Sequence, residues 1–268
     1  MPAHWTTLND RLAALAALPR LLIVCDFDGT LAPLVDQPEE AALLPSAGSV
    51  LASLAGLYPR ITLGFLSGRA LDDLVLRTGL AGLPVFHGGN HGLELRGPGL
   101  EWTHPAALAT RNGMAAFAQR LRSAVSAIPG VEVEDKGLTL TLHYRRMDHA
   151  SLSALKLALL DCHPSAAIHA NAGKEAIEYR PAIAWDKGQA LLTMAAHAGV
   201  SLEAVIYLGD DRTDEDAFAA LAGEGFALRV GEGSSATRAL AQADDPEDAV
   251  RFLRHLVSLR TVAKNGRG

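Results

Sequence analysis

The sequence has little of several features that would define its class. Two of its 268 residues are cysteine, so neither a disulfide framework nor a cysteine-ligated zinc site is indicated. No apolar run approaches the roughly eighteen residues that a membrane-spanning helix needs. Acidic residues (30) outnumber basic ones (24), and the formal net charge is -6. Because a nucleic-acid-binding surface normally needs a basic face, we expect no nucleic-acid partner.

The amino-terminal segment lacks the basic start and uninterrupted apolar stretch of a secretory signal. From this segment and from the lack of apolar spans we expect a cytoplasmic protein that does not associate with membranes. Hydrophobic residues make up 49% of the chain, enough for one large domain that carries a second, smaller one. Cys25 lies within an apolar run, and we interpret it as a core residue, since free cysteine is usually buried.

Apolar runs alternate with helical patterns in the first and last parts of the chain. The runs include LLIVC (21–25), ITLGFL (61–66) and, late in the chain, VIYLG (205–209). Strand–helix alternation of this kind is typical of a parallel sheet with helical crossovers. Because the runs are continuously apolar, both faces of the strands should be covered. The pattern therefore predicts a doubly wound α/β core.

The middle of the chain has a different pattern. In LTLTLHYR (138–145), leucines alternate with polar residues, as in a half-exposed strand of an antiparallel sheet. Further alternating segments and two helical patterns surround it. We predict a discontinuous core domain formed by residues 1–104 and 181–268, with an inserted α+β domain at 105–180.

Two acidic residues follow the first buried run. Asp26 and Asp28 lie two positions apart in LLIVCDFDGT, so their side chains should point in the same direction from an extended chain. They would lie beyond the carboxyl end of the strand, where open α/β sheets bind ligands. Adjacent carboxylates repel each other, and a divalent cation such as Mg²⁺ would relieve that repulsion. A solvated turn that caps a helix is the structural alternative.

Three further segments place polar groups at comparable positions. Ser67 follows the second buried run, and Lys187 opens a helix, where the dipole disfavours a cation. Asp210, Asp211 and Asp214 follow the late run VIYLG. A helix cap, a surface lysine and an acidic helix start are the respective structural alternatives. Together, however, a divalent-ion site, a hydroxyl, a lysine and a candidate nucleophile match the requirements of phosphoryl transfer.

The four segments DFDGT, LSGR, DKG and GDDRTDED resemble the four motifs of the haloacid dehalogenase (HAD) superfamily, in the order in which that superfamily has them. Longer matches, such as FHGGNHGLEL, AGKEAIEYRP and YLGDDRTDEDAF, resemble trehalose-6-phosphate phosphatases. These motifs span residues 24 to 218. The resemblance implies a HAD-like core with an inserted cap domain, and hydrolysis of trehalose 6-phosphate with Mg²⁺ as the cofactor.

The resemblance also assigns roles to individual residues of the core. Asp26 would be the nucleophile that forms an aspartyl-phosphate, and Asp28 the general acid and base. Ser67 and Lys187 would bind the transferring phosphoryl oxygens. The Asp26 side chain, the Asp28 backbone carbonyl and Asp210 would hold Mg²⁺. Asp211 and Asp214 would either hold metal-bound water or orient Lys187.

In the inserted domain the resemblance places groups that bind the sugar. These residues, together with two from the GGNHG loop that could line the site, are Asn90, His91, Glu134, Lys136, Arg145, Lys174 and Glu178. An ordinary solvated sheet face is the structural alternative for the inserted domain. The substrate partner would be a small molecule, and we expect a monomer with a functional link to trehalose-6-phosphate synthase.

Four other functions are alternatives to this one. A phosphatase that acts on another sugar phosphate, or a phosphohexomutase of the same superfamily, would share these motifs. A catalytically silent regulatory domain is disfavoured because Asp26, Asp28 and Asp210 are all present. A dinucleotide-dependent dehydrogenase is disfavoured because no G-x-G-x-x-G sequence follows the first apolar run.

Overall fold

The protein consists of two compact units. The structure is a computed structural model that describes residues 2–173, 175–232 and 236–265. The core unit comprises Met1–Trp102 and Trp185–Gly268, and the inserted unit comprises Thr103–Ala184. Within the described residues, no helix is both long and apolar enough to cross a membrane.

The secondary structure over the described residues comprises eight α-helices and thirteen strands. The helices are α1 (Asn9–Ala17), α2 (Ala47–Ala55), α3 (Leu71–Thr78), α4 (Pro105–Val125), α5 (Leu152–Asp161), α6 (Lys187–Ala198), α7 (Asp214–Ala220) and α8 (Pro246–Asn265). The strands are β1 (Ala3–His4), β2 (Leu21–Cys25), β3 (Ile61–Leu66), β4 (Val85–Gly89), β5 (Glu94–Gly97), β6 (Leu100–Thr103), β7 (Glu132–Asp135), β8 (Leu140–His143), β9 (Ile168–Ala172), β10 (Ala176–Pro181), β11 (Val205–Gly209), β12 (Phe226–Val230) and β13 (Ala241–Ala243).

A nine-stranded sheet forms the centre of the core unit, in the order β1-β13-β12-β11-β2-β3-β4-β5-β6. The strands from β1 to β4 in this order pair in parallel, and β5 pairs antiparallel to β4. Every residue of β2, β3 and β11 is buried, as the continuous apolar runs predicted. Burial of each large aliphatic side chain contributes about 1.5–3 kcal/mol. The predicted doubly wound α/β core is confirmed.

The order of the strands indicates which edge of this sheet is suited to binding a ligand. From β2 the chain continues outward through β3 and β4, whereas the later strands β11 and β12 lie on the other side of β2. The direction of winding therefore reverses between β2 and β11. Crevices at such switch points, beyond the carboxyl ends of the strands, are where open α/β sheets bind ligands.

Several elements of the core unit had no clear sequence signal. The two-residue strand β1 pairs with β13, and Ala3 lies opposite Ala241. The long helix α8 packs against α1 and α2. β1 is an edge strand that is too short to show a periodicity, and its formation depends on a partner more than 200 residues away.

The inserted unit contains a four-stranded antiparallel sheet in the order β7-β8-β10-β9. Its apolar face packs on α4 and α5 through a separate hydrophobic cluster, in which the rings of Phe117 and Tyr179 meet edge to face at 4.9 Å. The antiparallel arrangement agrees with the alternation in LTLTLHYR. The expectation of a half-exposed polar face needs correction, because Thr139 and Thr141 are buried. Thr141 lies between Glu134 and Glu178 on the neighbouring strands, and those long side chains flank it.

Candidate active site

Asp26 lies immediately beyond β2 and is buried. Its backbone N–H donates to the carbonyl of Leu208 on β11, so the backbone is fixed between the two central strands. Its carboxylate accepts a hydrogen bond from the N–H of Phe27 at 2.7 Å. Burial raises the pKa of Asp26 well above its ordinary value; Lys187 acts in the opposite direction, and the nearby Asp214 adds to the rise. Unless a cation is close, a negative charge here is costly.

Lys187 supplies one cation at this position. It is the first residue of α6, and its side chain is only 2% exposed. The ammonium group lies 3.0 Å from Asp26 and 2.7 Å from Asp214. Burial alone would lower the pKa of Lys187, but the two carboxylates outweigh that effect and raise it. The unfavourable position of a lysine at a helix start is therefore explained, because these ion pairs offset the helix dipole.

Asp214 is an anchor for this lysine. One of its oxygens accepts hydrogen bonds from Lys187 and, at 2.6 Å, from the hydroxyl of Tyr207 on β11. The other oxygen accepts from the backbone N–H groups of Asp210 and Asp211 at 3.0 and 2.9 Å. Four donors thus surround a fully buried carboxylate. Of its two proposed roles, the orientation of Lys187 fits these contacts better.

Asp210 completes a cluster of carboxylates. It follows β11 and accepts a hydrogen bond from the hydroxyl of Thr30 at 3.2 Å. Gly29 has a φ of 76°, and a Cβ there would lie 2.1 Å from an Asp210 oxygen, so the turn after Phe27 requires glycine for two reasons. Burial and the repulsion of Asp214 raise the pKa of Asp210 to about 7. Asp211 is exposed on the adjoining turn.

A divalent cation fits this cluster. Oxygen atoms of Asp26, Asp210 and Asp214 lie within 4.8 Å of one another. Because Asp214 already accepts four hydrogen bonds, Asp26 and Asp210 are the better placed ligands. Burial, together with the neighbouring carboxylates, raises the pKa of both groups, and a bound cation would favour their charged forms. Hard carboxylate oxygens are the donors that Mg²⁺ prefers.

Asp28 is held by a residue that the sequence interpretation did not single out. Arg69 donates two parallel hydrogen bonds to the Asp28 carboxylate, both 2.7 Å long, from Nε and Nη2. Arg69 lies 41 positions from Asp28 along the chain, so the sequence around Asp28 does not indicate this pair. Arg69 is the last residue of the LSGR motif, and its place in that motif was the signal that could have identified it as a site residue.

Ser67 and the GGNHG loop form one backbone unit. Ser67 donates its N–H to Gly88, and its carbonyl accepts from the N–H of His91 at 2.8 Å. The N–H of Asn90 donates to the carbonyl of Arg69 at 2.7 Å. Ser67 Oγ accepts from the N–H of Arg69, and α3 begins only at residue 71, so Ser67 is not the cap of that helix.

Asn90 and His91 are buried and have left-handed backbone conformations, with φ of 51° and 57°. Non-glycine residues in this region are uncommon and occur often at functional sites. The Asn90 amide donates to Glu94 at 2.8 Å. A Cβ on Gly68 would lie 2.6 Å from the His91 ring, so the ring packs directly on the LSGR turn. The structure thus brings both residues next to Ser67.

The described part of the inserted unit contains four of the remaining predicted residues. Lys136 Nζ lies 3.8 Å from Glu134 and 4.0 Å from Glu178, and its side chain is 10% exposed. Arg145 lies beyond the end of β8 and pairs with Glu175 at 3.3 Å. Lys174 lies outside the described residues. Glu134, Lys136 and Glu178 therefore form one charged group.

The fold shows the structural class to which this protein belongs. The structure is similar to a haloacid dehalogenase-like hydrolase from Bacteroides thetaiotaomicron, with a TM-score of 0.61 and 14% identity over 88% of this chain and 99% of that one. At that identity the likeness concerns the fold, which is the HAD-like fold. The acidic strand ends, the buried lysine and the strand-end serine all lie in the core unit.

The family follows from closer matches. The trehalose-phosphatase family profile matches residues 24–247, and the chain belongs to this family of phosphatases. A trehalose-phosphate phosphatase from Mycobacterium marinum is 36% identical over 95% of this chain and 67% of its own length. The C-terminal domain of a Candida albicans trehalose-6-phosphate phosphatase superposes with a TM-score of 0.77 at 25% identity, covering 96% of this chain and 98% of that one. This chain thus spans about two thirds of the mycobacterial relative's length.

Proposed function

We propose that this chain hydrolyses trehalose 6-phosphate to trehalose and phosphate, with Mg²⁺ as the cofactor, through an aspartyl-phosphate on Asp26. The observation that carries the proposal is the position of Asp26. It is a buried carboxylate at a strand end, 3.0 Å from a buried lysine and next to two further carboxylates. Family membership supports the substrate, since the relatives carry the name trehalose-phosphate phosphatase.

In the first half-reaction, a carboxylate oxygen of Asp26 attacks phosphorus and the bond from phosphorus to the sugar oxygen breaks. Asp28 gives its proton to the departing oxygen, which leaves as a hydroxyl. Lys187 and the hydroxyl of Ser67 bind the transferring phosphoryl oxygens, on which charge develops. Mg²⁺, held by Asp26, the Asp28 carbonyl and Asp210, would supply further neutralisation of that charge.

In the second half-reaction, Asp28 takes a proton from water as the water oxygen attacks the phosphorus of the aspartyl-phosphate. The bond between phosphorus and Asp26 breaks, and inorganic phosphate leaves. Asp214 and Tyr207 hold Lys187 in place through both steps. One carboxyl thus attacks while its neighbour carries the proton, which accounts for the two-residue spacing.

The inserted unit is proposed as a cap that recognises the sugar. Glu134, Lys136, Arg145 and Glu178, with Lys174, would bind the hydroxyls of the disaccharide, and Asn90 and His91 would line the site from the core unit. A charged group with both donors and acceptors is suited to a ligand rich in hydroxyls. We further propose that the enzyme works as a cytoplasmic monomer that uses the product of trehalose-6-phosphate synthase.

The test is phosphate release from a panel of trehalose 6-phosphate, sucrose 6-phosphate, glucose 6-phosphate and p-nitrophenyl phosphate, with and without Mg²⁺. We expect kcat/KM for trehalose 6-phosphate to exceed that for glucose 6-phosphate by about a hundredfold or more, since unpaired polar groups reject the smaller sugar. Chelation should abolish release from every substrate. A preference for another sugar phosphate, or isomerisation without phosphate release, would contradict the proposal.

A further inference from the structure

Arg69 binds Asp28 and two other acceptors, the side chain of Asp73 and the carbonyl of Pro38. Its guanidinium is buried, and all three of its nitrogens donate to protein acceptors. Nε and Nη2 hold the two oxygens of Asp28, and Nη1 donates to Asp73 at 2.8 Å. Nη2 also donates to the carbonyl of Pro38 at 2.9 Å. A guanidinium engaged in this way is a fixed frame for Asp28 rather than a binding group for the phosphoryl oxygens.

The guanidinium of Arg69 is itself held in place by the Phe27 ring and by Asp73. The guanidinium carbon lies 5.3 Å from the centroid of the Phe27 ring, within cation–π range. Asp73 is shared with Arg77, whose Nε lies 2.8 Å from it. The resulting chain Asp28–Arg69–Asp73–Arg77 contains two groups of each charge. Asp73 therefore balances part of the charge of Arg69 and also holds its guanidinium in place.

Asp28 needs such a frame because it is otherwise loosely held. Its side chain is 34% exposed, so without a partner it would rotate among several conformers. The bidentate contact uses one lone pair on each oxygen and leaves the other available to carry a proton. Small displacements of a proton-transferring group cost large factors in rate.

We propose that Arg69 is a positioning residue that fixes the Asp28 carboxyl for proton transfer to the leaving oxygen. The inference rests on the proposed function, because it takes Asp28 as the general acid. It predicts a loss that depends on the leaving group: large for a sugar or alkyl phosphate, whose oxygen must be protonated as it leaves, and small for p-nitrophenyl phosphate, whose oxygen need not be.

A purely structural role would give a different result, and the chain offers a matched control. Arg77 also binds Asp73 and clasps the same loop, donating to the carbonyls of Glu39 and Ala41 at 3.0 and 2.6 Å. It makes no contact with Asp28 among the hydrogen bonds and ion pairs of the described residues. Loss of Arg77 therefore disturbs the loop and Asp73 while the Asp28 pair remains.

The experiment measures kcat/KM of Arg69→Gln, Arg69→Lys and Arg77→Gln against phosphate monoesters with leaving groups from p-nitrophenol to an alkyl alcohol, and against trehalose 6-phosphate. We expect Arg69→Gln to lose about tenfold to a hundredfold on the poor leaving groups and less than about threefold on p-nitrophenyl phosphate. Arg69→Lys, which keeps the charge but loses the bidentate fork, should show a smaller loss with the same dependence. The kcat/KM of Arg77→Gln should show no dependence on the leaving group.

A double-mutant comparison with Asp28→Asn completes the test. In that background Arg69→Gln should add little, because the group that it positions no longer carries a proton. An equal loss on every substrate, or fully additive losses, would overturn the inference. If Asp28→Asn itself showed no dependence on the leaving group, the proposed acid would be wrong and this inference would fall with it. If trehalose 6-phosphate alone were not hydrolysed, while the synthetic series behaved as expected, the proposed substrate would be wrong. The positioning role of Arg69 would still be supported.

Discussion

Two lysines of this protein each lie between two carboxylates, and the two units place them differently. In the core unit, Lys187 is 2% exposed and lies 2.7 and 3.0 Å from Asp214 and Asp26. In the inserted unit, Lys136 is 10% exposed and lies 3.8 and 4.0 Å from Glu134 and Glu178. The contacts of Lys187 are at hydrogen-bonding distance, whereas these two contacts of Lys136 are longer. The two glutamates are bound more closely by His143, at 2.9 Å from Glu134, and by Arg180, which donates to Glu178 at 2.7 Å.

The difference is consistent with the two roles proposed above, catalysis for the core group and sugar recognition for the inserted group. Groups that act on a developing charge are most effective when they are fixed before the reaction begins, because no reorganisation is then needed. Groups that recognise a flexible ligand can exchange loose contacts with each other for contacts with the ligand. We therefore expect substitutions in the core group to affect every substrate, and substitutions in the inserted group to affect the substrate that reaches it.

The largest expected effect is at Asp26. Asp26→Asn should lower kcat by at least about 10⁴-fold on all substrates, because an amide does not attack phosphorus. The thermal midpoint should stay close to that of the wild type, since the amide is nearly isosteric with the carboxylate. Steady-state phosphate release and calorimetry check both expectations. Near-normal turnover on any substrate would contradict the covalent mechanism.

A smaller effect is expected at Tyr207, which sharpens the comparison because it acts through the core group without touching Asp26 directly. Tyr207→Phe removes one hydrogen bond to Asp214 and loosens the anchor of Lys187. We expect kcat to fall by about tenfold for trehalose 6-phosphate and p-nitrophenyl phosphate alike, with KM little changed.

Tyr179→Phe in the inserted unit is the matched control, because Tyr179 is also buried and packs on Phe117 in a different hydrophobic cluster. It should leave kcat near the wild-type value. A larger loss with Tyr179→Phe than with Tyr207→Phe would show that the anchor has no special role.

The smallest expected effect concerns stability and pH. The pKa of Asp210 is raised from 3.8 to about 7 by burial and by neighbouring carboxylates. Between these values the folded state binds more protons than the unfolded state, so this group's contribution to stability falls as the pH rises through that window. Mg²⁺ competes with those protons and relieves the repulsion, and it should therefore stabilise the protein more at pH 8 than at pH 5.5.

Thermal melts with and without Mg²⁺ at both values of pH check this expectation. A saturating concentration should raise the midpoint by about 5 °C at pH 8 and by less at pH 5.5. In Asp210→Asn the shift should become small at both values of pH. An equal shift at both values in the wild type would count against a site formed by these carboxylates.

Much of the core unit could be predicted from the sequence, because parallel strands buried on both faces read as continuous apolar runs. The ranges 21–25 and 61–66 agree with β2 and β3 to the residue. The convergence of Asp26, Asp210 and Lys187 followed from the rule that such strands end at one edge. Local sequence was sufficient where a feature depended on one strand and its end.

The partners of these residues could not be read in the same way. Arg69 contacts Asp28 across 41 positions, and nothing in LSGR specifies which acid it binds. Tyr207 looked like one more apolar strand residue, although a buried tyrosine hydroxyl generally needs a partner and this was a usable signal. Thr139 and Thr141 were expected to be exposed, but their burial depends on the side chains of neighbouring strands. Such contacts are set by packing in three dimensions.

The most direct test of the division between chemistry and recognition compares the two lysines on two substrates. Lys187→Met should lower kcat/KM by a similar large factor, about 10²-fold or more, for trehalose 6-phosphate and p-nitrophenyl phosphate. Lys136→Ala should lower it by about tenfold to a thousandfold for trehalose 6-phosphate while changing it less than about threefold for p-nitrophenyl phosphate, which has no sugar hydroxyls to bind. If Lys136→Ala reduced both substrates equally, or left trehalose 6-phosphate unaffected, the assignment of the inserted unit to recognition would be contradicted.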